Sequence, residues 1–376
     1  MGKNQGRIFI MKKVAVGLSG GVDSSVAAAM LVAQGYEVTG VYIEAYNEPG
    51  CRTNQDKKDA LKVALQLGIA FVSLDLRKEY KEKVIEYFFA EYEAGRTPNP
   101  DMVCNREIKF GIFWEWGINN DFDLIATGHY ARIIDGRLQR AVDLTKDQSY
   151  FLAQVSPEKL KHVLFPLGKF SKIEVRHKAK ELELVTANKP DSMGICFVGE
   201  VDVAKMLVER LGEKKGEVLI DGVVVGAHKG IWTATVGQKV GQEILLYSRV
   251  LKMIGLDTTK MPALFVTAKD KERNQIMIGA REQCYRGKWE VTGLEWVVDG
   301  DRIDEWRGEG KLFVRIRNLG ELSLVKNLKK TTDTTLEIEV GEAIFAPAGG
   351  QIAVFYARSN AIIGDEIVVG VGEIFT

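Results

Sequence analysis

Between an apolar run, Lys12–Gly17, and an alanine-rich run, Ser24–Gln34, the chain reads Gly17-Leu18-Ser19-Gly20-Gly21-Val22-Asp23-Ser24-Ser25. Glycines remove Cβ bulk, so successive backbone N–H groups can wrap a polyanion, and the start of a following helix adds partial positive charge. Ser19, Ser24 and Ser25 supply hydroxyl donors. Asp23 repels a phosphate directly, so it reads as a helix N-cap or a metal-side ligand. The Gly-Lys-Ser/Thr ending of the loops that handle β- and γ-phosphates is missing.

Cysteine is the second source of chemistry. Cys51, Cys104, Cys196 and Cys284 form no CxxC pair and are too scattered for a disulfide framework or a structural zinc site. No metal site is expected. Each thiol taken alone is either an inert buried residue or a nucleophile, and nothing around Cys51 or Cys284 favours the second. Cys104 follows Asn99-Pro100-Asp101-Met102-Val103, where prolines break the preceding chain and Asp101 suits an N-cap. The spacing predicts a cysteine in a first helical turn, its thiolate favoured by the dipole, with Arg106 and Lys109 nearby in sequence. Cys196 sits between Gly194 and Gly199, in a stretch that can move. Only the fold can bring the two together.

The elements that must position these residues alternate in type. Strand-like runs at Lys12–Gly17, Val38–Ile43, Phe71–Leu76 and Asp123–Thr127 are separated by helical runs at Ser24–Gln34, Gln55–Leu67 and Glu79–Ala94, each closed by glycine. This predicts parallel βαβ crossovers and an α/β, doubly wound parallel sheet. After about residue 205, short β-rich runs take over, with turns at Asp221-Gly222, Val236–Gly241 and Asp299-Gly300. Beyond Ile276 come Trp289–Trp296, Leu312–Arg317, Thr335–Val340, Ala353–Ala357 and Ile367–Val371, the pattern of a small antiparallel barrel. The expected organisation is a disordered leader at 1–11, with Met11 an alternative start, a catalytic domain at 12–205, a small β-rich domain at 206–276 and a β-barrel at 277–376.

In the 376 residues, 51 basic and 51 acidic side chains cancel, which argues against indiscriminate coating of nucleic acid. The run Lys169, Lys172, Arg176, His177, Lys178 and Lys180 is either a local basic face or an ordinary solvated one. No apolar run approaches the roughly 18–20 residues of a membrane span, so a cytoplasmic location without membrane attachment is expected.

The SGGVDSS string resembles the pyrophosphate-binding loop of the N-type ATP pyrophosphatases, which cleave ATP to AMP and pyrophosphate while adenylating a substrate. Further strings narrow the likeness: Gly95-Arg96-Thr97-Pro98-Asn99-Pro100-Asp101, CNREIKFG from Cys104, Ala126-Thr127-Gly128-His129-Tyr130-Ala131-Arg132, Lys146-Asp147-Gln148-Ser149-Tyr150-Phe151-Leu152, and DSMGICFVG ending at Gly199. Together they resemble the tRNA-specific 2-thiouridylase family along nearly the whole chain.

That resemblance implies adenylation of the C2 oxygen of the wobble uridine with ATP and Mg²⁺, then sulfur transfer from a persulfide. Cys196 would carry the persulfide and Cys104 would resolve it, leaving a Cys104–Cys196 disulfide, with Asp101 assisting at the base. Gly17, Leu18, Ser19, Gly20, Gly21, Val22, Asp23, Ser24, Ile43 and Gly128 would hold ATP. Asn99, Pro100 and Asp101 would surround the target base. His129, Lys146, Asp147, Gln148, Arg315, Ile316 and Gln351 would meet the tRNA. For His129 a satisfied structural role is the alternative. Arg315 and Arg317 alternate, so both should share one face.

Expected partners are the anticodon arm of Lys-, Glu- and Gln-type tRNAs and a cysteine desulfurase or sulfur-relay protein. Ile43 replaces the family's common methionine beside the adenine, Pro190 a common lysine, and Ile316 an aromatic residue; Thr235–Leu246 keeps only a Gly-Gln-Lys core. Competing readings are another ligase with this loop, such as an argininosuccinate synthetase or a tRNA lysidine synthetase, and a non-enzymatic RNA-binding protein or redox sensor. The first needs no paired thiols; the second needs no intact loop.

Overall fold

The structure, a computed structural model, describes residues 11–46, 53–191, 203–257, 260–358 and 364–375; residues 1–10, Cys51 and Cys196 lie outside them. The chain divides into two compact units, Met1–Tyr80 with Asn105–Met193, and Lys81–Cys104 with Gly194–Thr376.

The first unit is built on β1 (Lys13–Gly17), β2 (Glu37–Glu44), β3 (Ala70–Asp75), β4 (Leu124–Ala126), the hairpin β5 (Ala131–Ile134) and β6 (Arg137–Arg140), and β7 (Val163–Leu164). A five-stranded parallel sheet has the order β3-β2-β1-β4-β7. The expected doubly wound α/β fold is therefore present. Strand β1 shows why: Val14 and Val16 join one buried cluster with Leu31, Val63 and Ala64, while Ala15 points to the other with Val41, Phe113 and Ile125. A strand buried on both faces reads as a continuous apolar run. Helix α1 (Val22–Ala33) is buried nearly all round, and α2 (Thr53–Leu67) covers the same face through Ala60, Val63 and Ala64. Chain order reverses between β1 and β4, so the crevice beyond their C-terminal ends is the topological switch point, where open α/β sheets bind ligands.

In the second unit, β8 (Gly216–Ile220), β9 (Val223–His228), β10 (Ile244–Leu246), β11 (Phe265–Asp270) and β12 (Gln275–Gly279) form a sheet of order β10-β9-β8-β12-β11. Asp221 and Gly222, both at positive φ, make the β8–β9 turn that the Asp-Gly pair predicts. Next come β13 (Tyr285–Trp296), β14 (Leu312–Arg315), β15 (Ser323–Lys330), β16 (Thr335–Phe345), β17 (Ile352–Arg358) and β18 (Glu366–Phe375). They pair antiparallel in the order β13-β16-β15-β14-β17-β18, and β18 returns to β13, closing a six-stranded barrel. Its interior follows the period of two: Leu312, Val314 and Ile316, then Ala353, Phe355 and Ala357, then Ile367 and Val369.

Two expectations are corrected here. Asp299-Gly300 is not a turn: it opens a helix, Gly300–Gly308, which sends Ile303 and Trp306 into the barrel core. The helix expected over Glu79–Ala94 is broken into Arg77–Tyr80, a π-helical stretch Lys81–Ile85, and Glu86–Glu93. Its last part belongs to the second unit. There Glu86 and Phe89 meet Arg210 of the helix Val203–Leu211, by an ion pair at 3.2 Å and a guanidinium 5.5 Å from the ring centre.

Candidate functional site

The glycine-serine loop leaves β1 at the switch point and enters α1. Gly20 lies at φ +76, and a Cβ there would stand 2.2 Å from the carbonyl oxygen of Asp56 on α2, so only glycine fits. Serine hydroxyls brace the turn. Ser24 Oγ accepts from Ser19 N at 3.1 Å and lies 3.0 Å from Ser19 Oγ, while Ser24 and Ser25 hydroxyls donate to the Gly21 carbonyl at 3.1 and 2.7 Å. Gly128, just past the end of β4, closes on this loop. A Cβ at Gly128 would meet Ser24 N at 2.7 Å and the Asp23 carbonyl carbon at 2.8 Å. The fold thus brings the loop and Gly128 together. Ile43 lies on β2, packed against the cluster around Ala15, Val41 and Ile125.

Asp23 is not the N-cap. Gly21 takes that place, and Asp23 falls in the first turn of α1. Its carboxylate is gripped by Lys172 Nζ at 2.7 and 2.8 Å and accepts from the Tyr130 hydroxyl at 2.9 Å. Burial, then the charge of Asp23, pushes the Tyr130 phenol far above its usual range, so it stays a donor. Lys172 Nζ also meets Asp191 at 2.8 Å, where Arg176 at 2.5 Å and Lys146 at 3.3 Å converge. Burial opposes the charge on Asp191, but the Lys172 hydrogen bond and these cations outweigh it and hold the carboxyl at about 2. Lys189 reaches the Gly20 carbonyl at 2.9 Å and pairs with Asp56 at 2.6 Å and Asp59 at 2.8 Å.

The basic run is therefore more than a solvated face. It is the helix Lys172–Glu181, started by a reciprocal Ser171–Glu174 capping box, with Lys172 and Arg176 turned into this network and His177 left outside, 71% exposed.

The residues expected at the tRNA in this unit are engaged by the protein. Asp147 is fully buried and accepts from Arg140, Ala141 and Ser149. Gln148 accepts from the Tyr130 amide at 2.9 Å. His129 is buried, its Nδ1 2.7 Å from Thr127 Oγ1 and its Nε2 3.5 Å from Lys109 Nζ. An ammonium can only donate, so Nε2 accepts and the imidazole proton sits on Nδ1. Burial, then the Lys109 charge, keeps His129 well below the usual histidine range. A base whose folded pKa is depressed stabilises the fold above its unfolded pKa, and that stability is lost as pH falls through it. The expected result is a decline of up to about 1.4 kcal/mol per pH unit below about pH 6.5, traceable to His129. Denaturant unfolding at about pH 5 and about pH 7.5 checks it, since His129→Asn should flatten that slope. An equal slope in the variant would remove His129 as the cause.

In the second unit, Asn99 caps the turn Pro100–Val103, its side chain accepting from Met102 N at 3.2 Å, so Asp101 is not the cap and lies inside the turn. Cys104 comes next, half-buried, its amide bonded back to the Pro100 and Asp101 carbonyls. It opens a nine-residue π-helical stretch, Cys104–Ile112, that runs on into Phe113–Asn119. The thiol therefore stands in the second turn, not the first, and the dipole argument weakens accordingly. Long π-helical stretches are rare and gather at functional sites. Arg106 and Lys109, also on this stretch, are turned to Glu107, Gln154 and His129.

The chain before Asn99 is tied to the barrel. Arg96 forks onto Glu91 with two 2.5 Å bonds, and the Thr97 amide donates to the Gly349 carbonyl at 2.8 Å, two residues from Gln351. Gln351 accepts from the Ala348 amide at 3.3 Å. Arg315 ends β14, alternating with the core residue Val314, and Arg317 lies beyond the end of that strand. Arg315 is 2% exposed and lies over Tyr356, and Arg317 donates to the Ala346 carbonyl at 2.6 Å.

Three family models match this chain: a tRNA methyl transferase HUP domain over residues 12–200, a tRNA methyl transferase PRC-barrel domain over 204–280, and an aminomethyltransferase beta-barrel domain over 286–374. The tRNA-specific 2-thiouridylase MnmA of Ligilactobacillus salivarius is 41% identical over 359 residues, covering 92% of each chain. The enzymes of that name from Lysinibacillus sphaericus and Bacillus subtilis are 44% and 37% identical over 368 residues, with 94% of each chain covered. The chain belongs to the tRNA-specific 2-thiouridylase family. Within that family frame, sequence reasoning missed Tyr130, Lys172, Arg176, Lys189 and Asp191 as supports of the glycine-serine loop. Lys172 and Arg176 were visible only as part of a charge run, and nothing local to Lys189 announces Asp56 or Asp59.

Proposed function

We propose that this chain is a tRNA 2-thiouridylase that adenylates the wobble uridine and sulfurates it from a cysteine persulfide. The observation that carries this reading is the serine-braced glycine loop at the β1/β4 switch point, closed by Gly128, in a member of this family. ATP lies with the phosphates that leave as pyrophosphate on the loop amides, its adenine toward Ile43, and Gly128 beside the ribose-phosphate. Backbone close to Ser24, with no side chain between, is what such an approach needs. The uracil C2 oxygen attacks the α-phosphate and pyrophosphate leaves. The terminal sulfur of a Cys196 persulfide attacks C2 and AMP leaves. Cys104 thiolate then attacks Cys196 Sγ, forming the Cys104–Cys196 disulfide and releasing 2-thiouridine; an outside thiol restores both cysteines. Asn99, Pro100 and Asp101 hold the base, and Asp101 takes part in its proton transfer. The barrel with Gln351, Arg315 and Ile316, and the stretch of His129 with Lys146 and Gln148, serve the anticodon arm, while Asp147 between them acts through the fold.

Mg²⁺ accompanies the ATP phosphates. Asp23, the sequence's candidate metal-side ligand, is held by Lys172 and Tyr130. The sulfur arrives from a cysteine desulfurase or a relay protein. Incubation with ATP, a cysteine desulfurase with cysteine, and unmodified tRNA should yield 2-thiouridine, with AMP and pyrophosphate formed one for one. ADP and phosphate as products, or no thiolated nucleoside, would overturn the reading.

A further inference from the structure

A carboxylate in the first turn of a phosphate-binding helix is a liability. It cancels the positive end of α1 and repels the ligand that the loop amides are shaped to hold. Asp23 has this position. Among the described residues the ammonium that meets it is that of Lys172, which reaches both carboxylate oxygens at 2.7 and 2.8 Å from the helix Lys172–Glu181 and is itself largely shielded, its side chain 13% exposed. The Tyr130 hydroxyl donates to the same carboxylate, and Lys172 lies 5.8 Å from the centre of the Tyr130 ring. The lysine does not wander: its amide donates to Asp143 at 2.9 Å, its Nζ is shared with Asp191, and its helix is capped by Ser171.

We propose that Lys172 is a positioning residue that masks the charge of Asp23, so that the loop presents net positive potential to the phosphates of a nucleotide. It acts through Asp23 and need not touch the ligand. Asp23 is retained because its carboxylate joins the start of α1 to the helix Lys172–Glu181, and the lysine cancels the electrostatic cost of that joint. This inference rests on the reading of the loop as the nucleotide site.

Masking separates from a structural role, and from direct phosphate binding, by a double substitution. Equilibrium binding of a non-hydrolysable ATP analogue and of adenosine is measured on the full chain. Lys172→Met uncovers Asp23 and should weaken the ATP analogue on the order of tenfold or more, while adenosine, which carries no phosphate, holds its affinity within about twofold. Lys172→Arg should restore the analogue. Asp23→Asn/Lys172→Met should recover most of the loss, because the loop carboxylate is neutral and Asp191 keeps Arg176 and Lys146, and thermal melting of each variant confirms that it is folded. A Lys172→Met protein that binds the analogue as tightly as its parent overturns the mask. So does a double variant no tighter than Lys172→Met, the outcome expected of a lysine that grips phosphate itself, or an equal loss of adenosine. A parent chain that binds neither ligand would instead overturn the nucleotide reading, and the mask with it.

Discussion

Cys196→Ser is expected to abolish both persulfide loading and 2-thiouridine formation, and Cys104→Ser to abolish only the second. Loss of a nucleophile falls on the scale of 10³-fold or more, roughly, in turnover. On the proposed mechanism the two differ in order, the persulfide forming at Cys196 before Cys104 is needed, so Cys104→Ser should accumulate loaded enzyme. The proposed adenylation requires neither thiol, so both variants should still bind ATP and tRNA. Cys284 is the control. It is 1% exposed, its thiol donates to the Val266 carbonyl at 3.5 Å, and burial pushes its pKa up, all marks of an inert core residue. Cys284→Ser should keep full activity and lose about 1 kcal/mol of stability. Cys51→Ser should be silent by the sequence reading. Peptide mass spectrometry after labelled sulfur transfer, and of spent enzyme without reductant, reads out the label on Cys196 and the Cys104–Cys196 bridge. Label on Cys51, or parental turnover by Cys104→Ser, would sink the assignment.

Much of the frame was legible because it depends on local pattern. The apolar run before Gly17, the glycine-serine turn and the alanine-rich helix can assemble only one way around a parallel sheet. Asp221-Gly222 carries its turn type in its residue types. What failed was arithmetic over one or two positions at helix starts. Asp23 and Asp101 are good capping residues, but Gly21 and Asn99 precede them and take the role. With Asn99 as the cap, Cys104 moves from the first turn to the second. The π-helical stretches could not be foreseen, since their hydrogen-bond slip is set by packing rather than by propensity. At Gly111 a Cβ would stand 2.8 Å from the Arg106 carbonyl five residues back, a contact that only this geometry creates. Least legible were the charge partners. Lys172 with Asp23, and Lys189 with Asp56 and Asp59, join segments far apart in sequence, and a charge run read alone cannot tell a solvated lysine from an anchored one.

Asp147 carries the second large expectation, one of stability rather than catalysis. The resemblance puts it at the tRNA with Lys146 and Gln148. Its surroundings support a different use. The side chain is wholly buried, accepts from Arg140 Nε at 3.2 Å, and receives the Ala141 and Ser149 amides and the Ser149 hydroxyl within 3.1–3.2 Å. The Arg140 side chain is itself only 8% exposed. A carboxylate so enclosed offers nothing to an RNA backbone, whose phosphates it would repel. It does pin the end of β6 to the turn leading into Ser149, and Gln148, its neighbour, holds the amide of Tyr130. Asp147→Ala should therefore remove the carboxylate from a buried guanidinium and two amides and cost about 3–5 kcal/mol, several times the loss of an exposed pair. Below its lowered melting point the variant should bind tRNA within about twofold of the parent, since each unit of affinity lost tenfold requires about 1.4 kcal/mol of direct contact. Asp147→Asn keeps an acceptor for the amides and should fall between the two in stability. Thermal melts and tRNA titrations on the same preparations decide the matter. A variant that melts like the parent but binds tRNA tenfold more weakly would return Asp147 to the RNA.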